Sequence, residues 1–514
     1  MNASAPPTAP ESFRPQSSLG AVSLLSSCLL AQFALQFGFQ LLLAMWYGAG
    51  IEMDAFSAAQ SIPMVVATIL VGSLQYAFVP VFIQRKEQHG EDAAWELAGT
   101  TGWILIPGIA ILSLAGCLAA KPIIESLFPR FSAAQMALTV QQFQILVWLT
   151  WTISITAFFQ TVLQASQIYR PAAFGPLAGT VVTIFGSWCL TASWGISGIA
   201  WATLAGALVS LIWQAPVFLR RARFRWRLDS GTRQMWLMLV PILLGAGIYK
   251  LDPLLDRYLA SGFPEGSISQ LGYASRLITA LLTLTSNGLA MVVFPVLSTY
   301  AACHDREGMK RELVHALQFL VFLLLPICIG LGCYSVPLIR DLFERGRFTG
   351  ADTVIVAQLL VLSLGVLVGG SVGEILSKTF FAMGDSRTPT LVRSIGFALG
   401  AVLKLWWGLT YGLSGLVSAT SCYYLLISAL DGFLLRRRLG SISWQGLVIS
   451  SWKCGAGSLA AAVVAALVLQ IRVRGAIVPA AFVGACSYFL VTWLIGETTA
   501  YRLFYGVRQK FQRR

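Results

Sequence analysis

From Ala21 to the end of the chain, apolar stretches of about 20 residues follow one another with few charges inside them. Each is long enough to cross a hydrocarbon layer of ~30 Å at about 1.5 Å of helix rise per residue. Hydrophobic residues make up 56% of the 514 positions and charged residues 11%, against roughly 25% charged in a soluble domain. A water-soluble core does not account for that. Helices are expected at 22–47, 57–82, 95–119, 138–162, 168–191, 195–218, 235–259, 271–298, 313–337, 353–382, 389–410, 413–434, 447–469 and 476–498. The fold class is therefore an all-α polytopic membrane protein of about 14 transmembrane helices.

The net charge of +14 raises nucleic acid as a partner, and the placement of the basic residues argues against it. With the N-terminus inside, the even-numbered connections and the C-terminal tail hold 22 Lys and Arg, among them Arg85, Arg220, Arg311, Arg393 and Arg436; the odd-numbered ones hold seven, from Lys121 to Arg474. That bias is the positive-inside signature and places both termini in the cytoplasm. The basic residues are spread over separate loops, so no single nucleic-acid patch exists. Residues 1–20, rich in Pro, Ser and Ala, read as a disordered tail. The nine cysteines lie mostly within spans and lack metal-type spacing, so they read as small buried residues. His89, His304 and His315 fall in or beside loops. No metal and no cofactor is expected.

The chain repeats itself. WGISGIAWAT, beginning at Trp194, returns as YGLSGLVSAT at Tyr411, 217 positions later. AFVPVF, from Ala77, is echoed by VVFPVL, from Val292, with Pro80 and Pro295 separated by 215. FFQTVLQASQIYRP, from Phe158, is echoed by LSKTFFAMGDSRTP, from Leu376, with the prolines separated by 218. Three pairs on one offset indicate duplication. Six spans separate the copies, and an even number returns the chain to the same side of the membrane. The copies are thus parallel repeats about an axis along the membrane normal, an arrangement suited to a transporter with a site between two lobes. A duplicated bundle without transport fits the same pattern. Gly-x-Ser-Gly is expected to mark a tight turn into a closely packed helix. Gly369, Ser371 and Gly373 satisfy G-x-S-x-G, but in an apolar helix without a histidine or paired acid, which argues against a nucleophile.

Several stretches resemble the MurJ (MviN) lipid II flippases of the multidrug/oligosaccharidyl-lipid/polysaccharide exporter superfamily: YGAGIEMDAFSAAQSIP at 47–63, GSLQYAFVPVF at 72–82, LASGFPEGSISQLGYASRL at 259–277, NGLAMVVFPVLS at 287–298, FERGRFTGADT at 343–353 and FFAMGDSRTP at 380–389. They occur in the family's order over about the first 440 residues. The resemblance implies two six-helix bundles around a cavity that opens alternately to either side, and a polyprenyl-pyrophosphate substrate carrying a sugar or muropeptide headgroup. Such a headgroup loses its hydration in hydrocarbon at great cost.

By that resemblance, Arg276 in span 8 falls on the arginine that meets the anionic headgroup, for which a guanidinium supplies forked donors; a side chain snorkelling to the interface is the competing reading. Asp54, at the outer end of span 1, matches an aspartate that holds or gates the cavity, and equally suits a helix cap. The family's first helix carries two arginines; AQFALQFGFQLLLAMW has none, and span 2 lacks the usual charges. The N-lobe half of the headgroup site is therefore expected to be neutral, with Gln32, Gln36, Gln40, Gln60 and Gln75 offering hydrogen bonds. Some members bind sodium through an aspartate of span 7 and polar residues of spans 11 and 12. Here Lys404, 16 residues before Thr420, stands where an acidic ligand is expected. Its ammonium is expected to replace the cation by pairing with Asp252 or Asp256, which share a helix face at i,i+4; reaching the interface is its alternative. Glu374 and Lys378, also at i,i+4, either line the cavity or neutralise each other.

The expected organisation is a tail at 1–20, an N-lobe at 21–219, a basic linker at 220–234, a C-lobe at 235–438, two added spans at 439–499 and a basic tail at 500–514. The expected function is a non-enzymatic flippase for lipid-linked peptidoglycan precursor in the bacterial cytoplasmic membrane, monomeric, with the lipid-linked glycan and membrane lipids as partners. Alternatives are a flippase for another lipid-linked glycan, or a drug or cation exporter of the same superfamily. A glycosyltransferase is disfavoured because Glu125, Asp341, Glu344 and Asp352 in the short outer loops are not paired.

Overall fold

The computed structural model describes residues 15–223, 250–440, 444–470 and 476–501, with positions 233, 235–240, 243 and 247 between them. Among these residues the chain is helical and contains no strand: α1 (Pro15–Tyr47), α2 (Ile51–Leu118), α3 (Ala120–Leu127), α4 (Ala133–Leu146), α5 (Trp148–Ala165), α6 (Tyr169–Arg221), α7 (Asp252–Ala260), α8 (Ser267–Leu282), a π turn (Thr283–Asn287), α9 (Gly288–Ala302), α10 (Arg306–Phe343), α11 (Gly350–Leu362), α12 (Leu364–Ala382), α13 (Arg387–Leu439), α14 (Gln445–Leu469) and α15 (Ile477–Leu494). Ten helical stretches among the described residues are long and apolar enough to cross a membrane.

Three of those stretches, α2, α6 and α13, are each divided by a glycine with positive φ: Gly90 at 86°, Gly195 at 55° and Gly412 at 64°. Contacts on either side of the last two glycines show antiparallel hairpins. A Cβ on Gly198 would lie 2.6 Å from the Leu190 carbonyl oxygen, and one on Gly415 would strike the carbonyl of Trp407. The Gly-x-Ser-Gly signature therefore supplies one glycine to turn the chain and a second to let the helices touch. Span 7 falls partly on residues outside the described set.

The sequence repeat is repeated in the backbone. Positive φ occurs at Gly48 and Gly266, at Gly90 and His304, at Gln167 and Gly384, and at Gly195 and Gly412, pairs separated by 214 to 218 positions. The breaks between α4 and α5 at Val147 and between α11 and α12 at Ser363 correspond as well. So do the N-caps: Ser132 accepts from the Gln135 amide, and Thr349 forms a capping box with Asp352. In each copy a glutamine amide donates to the serine of the turn signature, Gln142 to Ser197 at 2.8 Å and Gln358 to Ser414 at 3.3 Å.

Packing divides the chain into one unit of residues 1–40 and 58–250 and a second of residues 41–57 and 251–514. The first is centred on an aromatic core in which Phe159 stacks on Phe218 at 4.1 Å and Phe158 meets Phe78 edge-on at 5.3 Å. In the second, α14 and α15 pack on α10, where the Tyr488 hydroxyl donates to the Phe322 carbonyl at 2.7 Å.

Several expectations change. Residues 15–20, expected to be a disordered tail, begin α1, and Asp54 opens α2 rather than closing span 1. Of the nine free cysteines only Cys28 and Cys454 are buried, while Cys189, Cys303, Cys333, Cys422 and Cys486 are exposed. An apolar thiol suits a lipid-facing helix surface as well as a core. Residues 1–14, most of the expected linker at 220–234 and the tail after Tyr501 lie outside the described residues.

Candidate functional site

Lys404, on the first half of α13, is completely buried. Its Nζ lies 2.6 Å from Asp252 Oδ1 and 2.7 Å from Asp256 Oδ1, both on α7. Spacing of four residues puts the two carboxylates one above the other on a single helix face. The Tyr423 hydroxyl, on the second half of α13, donates to Asp252 Oδ2 at 2.5 Å, and its ring lies 5.2 Å from the ammonium. Gly400 makes room for that ring, because a Cβ there would lie 2.7 Å from it. One cation thus faces two largely buried carboxylates, where an unpaired charge costs several kcal/mol.

Arg276 lies on α8 with its side chain exposed. The helix start is fixed by Asp54, whose Oδ2 accepts from the Gly266 amide at 2.7 Å and Oδ1 from the Ser269 amide at 2.7 Å. A buried carboxylate satisfies two orphan donors and meets the positive end of the helix dipole. Both oxygens are committed to backbone, so Asp54 orients the helix that carries Arg276. The same end is tied down by Tyr273, whose hydroxyl donates to the Gly48 carbonyl at 2.8 Å, and by Gln270, which donates to Asp352 Oδ1 at 2.9 Å. Arg257 donates to the Ser57 carbonyl at 3.0 Å and lies within electrostatic reach of Arg276.

Glu374 and Lys378 on α12 meet at 3.5 Å, and Lys378 sits 5.7 Å from the Phe294 ring. Arg393, counted from sequence as a loop charge, lies inside α13 and donates to Glu374 at 3.3 Å and Ser377 at 3.1 Å. Only its position one turn inside a helix betrays this role, and the sequence places that boundary too loosely to show it.

Lys250 alters the expectation of a neutral first unit. Its Nζ lies 3.1 Å from the Thr68 carbonyl and would sit 2.9 Å from a Cβ on Gly72, so span 7 lends an ammonium to span 2. Of the glutamines, Gln36 and Gln75 are exposed, Gln32 and Gln60 half-buried and Gln40 buried. In the turn between α12 and α13, Asp385 accepts from Thr388 Oγ1 at 2.6 Å and contacts Arg438 at 2.8 Å. The Thr388 hydroxyl and amide, more than Arg438, hold this carboxyl below its ordinary range.

Duplicated helical segments with charge committed inside the spans define a class, the polytopic transporters. A solved lipid II flippase MurJ in an inward closed conformation matches 92% of this chain and 98% of its own with a TM-score of 0.79 at 21% identity. An inward-facing multidrug resistance MATE family transporter of the MOP superfamily matches 82% of this chain and 98% of its own with a TM-score of 0.69 at 16% identity. The sequence is 27% identical over 426 residues to a probable lipid II flippase MurJ of Bdellovibrio bacteriovorus, covering 77% of this chain and 81% of that protein. The model of the family described as lipid II flippase MurJ matches residues 43–485. The chain belongs to the MurJ family, whose members are multi-pass inner-membrane proteins.

Proposed function

We propose that this protein flips lipid II, a polyprenyl-pyrophosphate-linked peptidoglycan precursor, from the inner to the outer leaflet by alternating access. The family match over residues 43–485, which takes in both copies of the repeat, carries the reading. The chemistry supports it. Arg276 is exposed on a helix whose start is pinned at both Asp54 oxygens, so a forked donor is available to a pyrophosphate. Lys378 supplies a further cationic donor, and Glu374 holds it in place. An apolar cleft of about 450 Å³ between α10, α14 and α15, lined by Phe322, Leu331, Ala462, Ile477 and Phe489, suits an isoprenoid chain. No reacting group beyond binding and shielding is needed, so the protein works as a transporter rather than an enzyme.

Lys404 acts as an internal counter-ion. An ammonium 2.6 Å and 2.7 Å from two carboxylates repels a metal cation from that place, and the residues present do not fit sodium. Transport then relies on another source of energy, for which the membrane potential supplies about 2.3 kcal/mol per charge per 100 mV.

The test is complementation in bacteria depleted of their own lipid II flippase. Growth with the wild-type chain and none with Arg276→Ala at equal expression supports the proposal. A second reading, a different lipid-linked glycan, is favoured by one feature: residues 15–51 contain no charged side chain. Failure of the wild-type chain at normal membrane expression selects that reading.

A further inference from the structure

Asp431, in the second half of α13, is completely buried, and neither carboxyl oxygen has a hydrogen-bond partner. Contacts on both sides place it among three helical segments. A Cβ on Gly373 of α12 would lie 3.7 Å from Ser428, and one on Gly432 would lie 3.8 Å from Leu376, so Asp431 abuts the turn of α12 that carries Glu374, Ser377 and Lys378. Across the hairpin, Gly396 of the first half of α13 is in tight contact with Ile427. One turn earlier on that segment stands Arg393, whose charge is the one that acts on Asp431.

Arg393 is the disputed member of this group. It is bound to Glu374 at 3.3 Å and Ser377 at 3.1 Å, and Glu374 also has Lys378 at 3.5 Å. Glu374 therefore holds two cations while Asp431 holds none. An ionised carboxylate with neither water nor a donor is far costlier to bury than a neutral carboxylic acid. A metal ion is a poor substitute, since hard cations require several oxygen ligands, and the charge that acts on Asp431 is a guanidinium. Among the described residues no group of three or more His, Cys, Asp or Glu has metal-holding geometry.

We propose that Asp431 is a proton-binding site within the α13 hairpin, whose occupancy decides whether Arg393 pairs with Glu374 or with Asp431. Arg393 is observed on Glu374, the arrangement that goes with a proton on Asp431. When the O–H bond breaks, the proton passes to water or a buffer base at the Arg436–Arg438 end, five residues or about 7.5 Å of helix rise away. The carboxylate left behind draws the guanidinium across, and Glu374 keeps Lys378 as its partner. The exchange shifts the α13 hairpin against α12, a two-state element biased by one proton. The assignment stands apart from the transported lipid.

Infrared spectroscopy of the purified full chain in lipid nanodiscs, with no lipid II present, tests it across a pH titration. The difference spectrum of wild type minus Asp431→Asn is expected to show a protonated-carboxyl band at mildly acidic pH that is lost as pH rises through neutrality. Asn mimics the protonated acid in shape, so the variant is expected to melt at or above the wild-type temperature. Glu374→Gln frees Arg393 and is expected to move loss of the band to lower pH by one unit or more, which a merely structural aspartate would not show. A difference spectrum without the band at mildly acidic pH overturns the proposal, as does a band that disappears on adding sodium chloride at fixed pH. A titration unmoved by Glu374→Gln overturns the exchange of Arg393. Because no substrate enters the measurement, it distinguishes failure here from failure of the lipid II reading.

Discussion

At the scale of single residues, the buried charges separate into those that hold the fold and those that face a ligand. Lys404 belongs to the first group. Lys404→Ala leaves two carboxylates confronting each other without a cation, and breaking a buried pair in this way costs about 3–5 kcal/mol. A clear drop in melting temperature with loss of complementation is expected. Exchanging the charges in Lys404→Asp with Asp252→Lys is expected to recover part of both; a double variant no better than either single variant argues against a fixed ion pair. Arg276 is expected to behave oppositely. Its side chain is exposed, so Arg276→Ala changes stability by no more than about 0.5 kcal/mol while complementation is lost. A stable but inactive variant identifies a ligand contact, whereas an active one assigns the arginine to the interface. Charges in apolar spans are rare enough to be noticed in the sequence, which is why Asp252, Asp256, Lys404 and Arg276 were legible. Their partners were legible only where spacing or resemblance supplied them. The contact of Lys250 with Thr68, 182 positions away, leaves no periodic trace, and Asp431 reads as one more polar residue near a helix end.

At the scale of elements, the two copies have kept backbone conformation more faithfully than side chains. Gln167 at φ 62° occupies the place that Gly384 fills at 76°. A side chain is thus tolerated there, and since nothing lies within 4 Å of a Cβ on Gly384, Gly384→Gln is expected to cost no more than about 1–2 kcal/mol. Gly415→Ala is expected to cost more despite the smaller side chain. Its Cβ would meet the Trp407 carbonyl, so the hairpin must open or the backbone must shift. Melting temperatures measured side by side decide this, and equal losses would mean that the turn rather than the close approach sets the cost. The same comparison shows what patterning reveals. Two of the three matched motifs located turns, because a turn needs glycine or a residue that accepts positive φ. They did not reveal that Asp54 caps α8, because a cap borrowed from 212 positions away has no signature beside the helix it serves.

At the scale of the whole molecule, duplication and charge bias make one joint statement about topology. Copies offset by 214 to 218 positions share turns, breaks and caps, so corresponding turns in the two copies belong on the same side of the membrane if an even number of spans separates them. The basic residues agree: Arg85 and Lys86 precede the turn at Gly90, and Arg306, Lys310 and Arg311 follow its counterpart at His304. A Lys- or Arg-rich turn resists translocation, so both turns, and both termini with them, are expected on the cytoplasmic side. The turns at Gly195 and Gly412, flanked by Trp194 and Tyr411 rather than by basic residues, are expected at the opposite face, where interfacial aromatics anchor a span. Fluorescent-protein and phosphatase fusions read this directly. A fluorescent protein fused after Arg514 or placed in the turn at His304 is expected to fluoresce, and a phosphatase placed at Gly195 or Gly412 is expected to be active. Phosphatase activity at His304 together with fluorescence at Gly90 would set the two copies in opposite orientations. The backbone correspondences would then describe an inverted repeat, and transport between parallel lobes would have no structural basis.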